Sequence, residues 1–166
     1  MNRQIYVHYG STAFDPTKGF PIKNVKDWIK PEGGLWASQI NATRGWKDWC
    51  ETEDFRECTE KLSFKFTVKD GSNIAVIKST EDLEKLPVQE GSRWSKDTPW
   101  RRYIIDFEKC INQGIDAVEL CIYGDEYDCE DYFELHHSLY GWDCDSIVIL
   151  NPNVVIPVSD REGIIA

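Results

Sequence analysis

Three separated segments of the chain set chemically capable side chains beside glycines or at the mouth of an apolar run. Val7-His8-Tyr9-Gly10-Ser11 puts an imidazole, a phenol and a hydroxyl around a residue with no side chain. Gly33-Gly34-Leu35-Trp36-Ala37-Ser38 carries an indole and a hydroxyl just past a glycine pair, and Trp46 and Trp49 follow. Asp143-Cys144-Asp145-Ser146-Ile147-Val148 brings two carboxylates to the start of an apolar stretch. Imidazoles and hydroxyls hydrogen-bond sugars and amides. A fixed carboxylate stabilises positive charge that develops beside it. Each segment also has an ordinary structural reading: a hydrogen-bonded histidine, a glycine turn feeding a strand, and a solvated aspartate turn.

The order of the three segments carries more than any one of them. His-(Tyr)-Gly-Ser, then Gly-Gly-x-aromatic-x-Ser, then an acid opening a late strand resembles the ADP-ribosyltransferase superfamily. It is most similar to the branch with a His–aromatic–acid signature, which includes poly-ADP-ribose polymerases and diphtheria-type toxins. Gly34-Leu35-Trp36 falls on that branch's Gly-x-Tyr portion, and Trp46 falls near its helix aromatic. Asp145-Ser146-Ile147-Val148 with Asn151-Pro152-Asn153 looks like its Glu-Tyr-Ile-Val and Asn-Pro turn. The likeness spans residues 5–158, although its motifs occupy only about twenty positions. Three departures stand out. An extra residue separates His8 from Gly10, leaving His8 and Tyr9 as alternatives for the histidine position. Trp36 replaces a tyrosine. The acid is Asp145 instead of glutamate, and Asp143 two residues earlier is similar to the Glu-x-Glu spacing of the arginine-modifying branch.

The resemblance implies NAD as a substrate, with no metal. Breaking its N-glycosidic bond leaves an oxocarbenium-like sugar, so the protein must hold the dinucleotide and stabilise that cation. On this expectation Asp145 is the catalytic carboxylate, with Asp143 assisting and His8 orienting a ribose hydroxyl. His8, Tyr9, Gly10, Ser11, Gly34, Trp36, Ser38 and Trp46 form the NAD-binding set. Gly10 offers its backbone to the carboxamide, Trp36 stacks on nicotinamide, and Ser38 reaches a ribose or phosphate oxygen. Tyr140 and Trp142, in the loop ahead of the acids, are expected to face outward and contact the acceptor. The implied activity is mono-ADP-ribosyl transfer to a macromolecule, of the kind used by toxins and phage effectors. An inactive binding module on the same fold is the alternative, argued from aspartate in place of glutamate. An RNA 2′-phosphotransferase would need clustered bases, and an NAD hydrolase is not separable by sequence.

Elements that must position these groups are legible in the patterning. Strands are predicted at Ile5–Val7, at Leu62–Val68 by its period-two alternation, and at Ile74–Ile77, Ala117–Ile122, Ser146–Leu150 and Val154–Val158. Helices are predicted from Asn41 onward, after Ser79 up to Pro87, and over about Trp100–Asn112 to Gly114. The acidic stretch 124–134 is expected to lead into a loop, with His136-His137 in solvent. Residues 12–33 read as loop. Strands with irregularly inserted helices give an α+β class with a mixed or antiparallel core, as one domain over residues 1–166.

Composition narrows the function classes. Apolar residues make up 41 % and aromatics 13 % of 166, enough for one core. No apolar run approaches the roughly 20 residues a membrane span needs. The formal charge of −10, from 29 acids and 19 bases, disfavours nucleic acid and favours a protein acceptor; Arg101-Arg102 is the nearest basic pair. Six cysteines lack zinc-ligand spacing and read as reduced thiols, which points to the cytoplasm. Trp28, Trp49, Trp94 and Trp100 are expected to be packing residues.

Overall fold

The apolar runs assemble into one seven-stranded sheet. The computed structural model describes residues 3–26, 28–90, 103–124 and 132–158. Its strands are β1 (Ile5–Tyr9), β2 (Leu35–Gln39), β3 (Ser63–Val68), β4 (Ile74–Ile77), β5 (Ala117–Leu120), β6 (Ser146–Ile149) and β7 (Val155–Pro157), in the order β4-β5-β6-β2-β1-β3-β7. Only β4 and β5 run parallel; the other five pairings are antiparallel. With four short helices, α1 (Trp46–Thr52), α2 (Thr80–Glu84), α3 (Phe107–Asn112) and α4 (Tyr132–Ser138), the class is α+β with a mixed sheet. Among the described residues, no helix is long and apolar enough to cross a membrane.

Fully buried strands mark the middle of the sheet. β5 and β6 are buried along their whole length, and successive side chains go to opposite faces. Val118, Leu120 and Val148 join Leu83 of α2, Phe107 of α3, Leu135 of α4 and Trp142 in one apolar cluster. Ala117, Ile147 and Ile149 join Tyr6, Leu35 and Phe66 in the other. At Gly34 the chain enters β2 with φ +80, and a Cβ there would lie 2.7 Å from Val148 Cγ2 and 3.2 Å from the Ile149 carbonyl. Glycine is therefore what lets β2 close against β6, so Gly34 serves the sheet itself.

Helix ends follow local capping chemistry. Ser79 Oγ accepts from the Asp82 amide at 3.2 Å and opens α2, as its sequence predicts. Four other expectations are corrected. The helix expected from Asn41 starts at Trp46, because the Asp48 carboxylate accepts from the Gly45 amide at 2.9 Å and fixes the start there. The helix expected from about Trp100 starts at Phe107: Asp106 Oδ1 accepts from the Lys109 amide at 3.0 Å, and Ile105 bridges Val88 in extended chain. Trp94 and Trp100–Arg102 lie outside the described residues. The end of the acidic stretch 124–134 and His136-His137, expected in a solvated loop, form α4 over Tyr132–Ser138, because Leu135 buries one helical face. Trp28 is 67 % exposed, not a packing residue, whereas Trp49 is half-buried as expected.

Candidate functional site

The site begins where two strands part. β1 and β2 pair at Tyr6↔Gln39 and Val7↔Ser38, and the register ends there. One rung further, the His8 ring fills the gap, its Nδ1 lying 2.7 Å from the Trp36 carbonyl oxygen. A carbonyl only accepts, so Nδ1 carries the proton and Nε2 keeps the acceptor lone pair of a neutral imidazole. The parted ends border a cleft of about 220 Å³ lined by His8, Tyr9, Trp36, Trp46 and Asp143, with Lys30 and Arg56 at its rim.

Aromatic contacts fix the walls. The Trp36 ring meets the Trp142 ring edge-on at 5.1 Å, and its Nε1 donates to the Gly33 carbonyl at 3.3 Å. Trp46 stacks on Trp49 at 5.1 Å between centroids. Two cations overlie the indoles: Lys30 Nζ is 5.5 Å from Trp36 and Arg56 Cζ is 5.4 Å from Trp46. Arg56 also donates to the Tyr9 carbonyl at 3.2 Å. In a chain of charge −10, these two bases give the cleft a local character that the average hides.

A second hollow of about 500 Å³ adjoins the first and shares Asp143 with it. It runs between α1 and α4, with Asp48, Trp49 and Glu53 on one side and Tyr132 and His136 on the other. The Tyr123 hydroxyl donates to the Trp142 carbonyl at 2.9 Å and accepts from His136 Nδ1 at 2.9 Å, which orients that imidazole. His136, expected in a solvated loop, is thereby held in place.

Asp145 does not join this cleft. Its Oδ1 accepts from the Ile122 amide at 2.7 Å and the Tyr123 amide at 2.9 Å. It borders a separate hollow with Gln39, Lys78, Glu119 and Cys121. In the turn just ahead of β6, Cys144 and Ser146 line the cleft while the two amides hold the Asp145 carboxylate away from it. Burial raises its carboxyl above the usual range, against the lowering by the two amides. Beside it, Glu119 is 5 % exposed and also raised by burial, although Gln39 Nε2 at 2.8 Å and the Tyr6 hydroxyl at 3.2 Å both donate to it. No sequence signal marked Glu119, which sits inside an apolar strand.

Four further expectations change. Ser38 is buried; its Oγ donates to the Asp145 carbonyl and accepts from the Trp46 amide, both at 2.8 Å, so it ties β2 to α1 and to the turn ahead of β6, and it does not line the cleft. The Gly10 amide donates to the Leu62 carbonyl at 2.7 Å and is not available to a carboxamide. Ser11 Oγ donates to the Ala13 carbonyl at 3.3 Å and does not line the cleft. Trp142, expected to face outward, is 1 % exposed, and its Nε1 donates to Ser146 Oγ at 2.7 Å. Tyr140 is 67 % exposed, as expected. Lys30 and Arg56 were missed. One sits in a loop-rich stretch and the other in an acidic run, and neither place carries a motif.

Burial lowers the His8 pKa below its ordinary 6.5 and the Arg56 charge lowers it further, against a raising contribution from the Trp36 carbonyl. The folded state then binds fewer protons than the unfolded chain just below pH 6.5. Stability is therefore complete above that pH and falls as the pH drops through the window beneath it. The His8 ring resonances should titrate with a midpoint below 6.5 in an NMR pH series, with unfolding free energy declining over the same window. A midpoint above 6.5 would overturn the neutral-imidazole assignment.

No family model matches the chain, and neither curated proteins nor solved structures gave a match. What the fold and site define is an α+β domain with an aromatic-walled cleft bordered by a neutral imidazole, a carboxylate and two cations.

Proposed function

We propose that the cleft holds the nicotinamide riboside half of NAD, and that the chain transfers ADP-ribose from NAD to a macromolecular acceptor. The observation that supports this most is the meeting of His8, Trp36, Trp46 and Asp143, from three regions far apart in sequence, around one cleft. Its volume of about 220 Å³ suits half a dinucleotide, since sites for whole drug-sized ligands run from about 300 Å³ upward. Trp36 supplies a face for the nicotinamide ring. His8 Nε2 accepts from a ribose hydroxyl. Lys30 and Arg56 attract the diphosphate.

The reacting bond is C1′–N. As it breaks, nicotinamide leaves with the electron pair and the sugar becomes cationic, and an acceptor nucleophile then bonds to C1′ and loses its proton. Asp143, in place of Asp145, supplies the negative charge that steadies the cation. The net charge favours a protein acceptor over nucleic acid. All five described cysteines are free thiols, which suits a cytoplasmic setting.

One observation favours a second reading, a binding module without catalysis: the acid at the family-like position is occupied by two backbone amides. Incubation with NAD and candidate proteins separates the two. The transferase reading expects free nicotinamide and ADP-ribosylated protein. Saturable NAD binding with no nicotinamide released would establish the binding module instead, and no binding at all would overturn both.

A further inference from the structure

The hollow between α1 and α4 opens beside Asp143 but has a different character from the cleft. Trp49, Tyr123, Tyr132 and His136 give it aromatic walls, and Asp48, Glu53 and Asp143 give it three carboxylates. Among the described residues, Arg44 and His136 are its other ionisable lining groups apart from the two tyrosines. Its surroundings carry Phe55 at 60 %, Phe133 at 72 % and Tyr140 at 67 % exposure, three of the largest apolar side chains left open to solvent. Aromatic surface of this kind is a feature of protein interfaces.

The charge is unbalanced where it matters. α1 has no basic residue in its last turn, and Glu53 caps its C-terminal end, with Asp54 next. The helix dipole already places negative potential there, so these carboxylates add to it instead of relieving it. Asp54 is held at φ 50, the left-handed region that non-glycine residues seldom adopt. Among the described residues, the ion pair on the helix is Lys47 with Glu51 at 3.8 Å, on exposed side chains. Acids on an aromatic floor complement a planar cation, because a guanidinium stacks on a ring and forks two N–H groups toward a carboxylate.

We infer that the α1–α4 groove docks an arginine-rich segment of a partner protein. That this partner is the acceptor rests on the transferase reading; the docking itself does not. The groove leads to Asp143, so a segment seated there lies beside the cleft.

The test uses the whole chain and a fluorescent peptide of alternating Arg and Gly, read by anisotropy without NAD. Trp49→Ala is expected to weaken binding about tenfold, the scale of a lost cation–π face. Glu53→Gln should weaken it about threefold, as for one partly exposed charge pair. Glu108→Gln, the same change in net charge at an exposed position of α3, should leave it unchanged. Trp49→Phe, which keeps a ring, should retain most of the affinity and guards against misfolding in the alanine variant. The inference is overturned if the peptide does not bind, or if Glu108→Gln weakens it as much as Glu53→Gln. It is also overturned if a single-stranded oligonucleotide binds in its place and loses affinity in Trp49→Ala. Because no NAD is present, loss of docking leaves nicotinamide release to be judged separately.

Discussion

Asp143→Asn is expected to cut nicotinamide release from NAD by about a hundredfold or more, the scale of removing one group that stabilises transition-state charge. NAD affinity should change little, since that charge matters when the sugar becomes cationic. Asp145→Asn should leave release within a few-fold of the parent, because its carboxylate faces away from the cleft. The amide oxygen of the substituted side chain still accepts from the Ile122 and Tyr123 amides. Asp145→Ala removes that acceptor and should cost about 1–3 kcal/mol of stability, the penalty for buried donors left without a partner. Kinetics of the three variants, paired with denaturant unfolding, separate the roles. If Asp145→Asn abolishes release and Asp143→Asn does not, the carboxylate assignment is wrong.

Trp142→Ala is expected to cost about 3–5 kcal/mol, a typical loss on truncating a buried large aromatic. The indole belongs to the main apolar cluster, holds Ser146 through its Nε1 and walls Trp36. Its removal opens a cavity behind the nicotinamide face, so ligand binding should fall together with stability. Tyr140→Ala, on the open side of the same loop, should shift stability by less than about 0.5 kcal/mol. Thermal or urea unfolding of the two variants provides the check. Equal, small effects would contradict the burial of Trp142.

Much of the fold was legible because it is written in local patterns. The period-two alternation of Leu62–Val68, the continuous apolar run of Ser146–Leu150 and the Ser79 cap are all short-range signals. α4 was not legible, since Leu135 is its main apolar anchor within an acid-rich stretch. The grouping of His8, Trp36, Trp46 and an acid of the Asp143–Asp145 pair could be read from the order of motifs. Which acid faces the cleft could not. Two residues apart on one strand would share a face, but β6 begins only at Ser146, so Asp143 lies in loop and escapes that rule. Trp142 misled for a related reason. A tryptophan after a glycine in a loop looks exposed, and only tertiary packing shows that the loop folds its indole inward. Lys30 and Arg56 reach the cleft by the same long-range route.

In the proposed transferase, NAD sits between the parted ends of β1 and β2. The most direct measurement is an NMR titration with NAD that follows the tryptophan indole N–H signals and the histidine ring signals. Shifts are expected at Trp36, Trp46 and His8, with the exposed Trp28 unmoved. Shifts confined to backbone signals around Lys78, Glu119, Cys121 and Asp145, or none at saturating NAD, would contradict it.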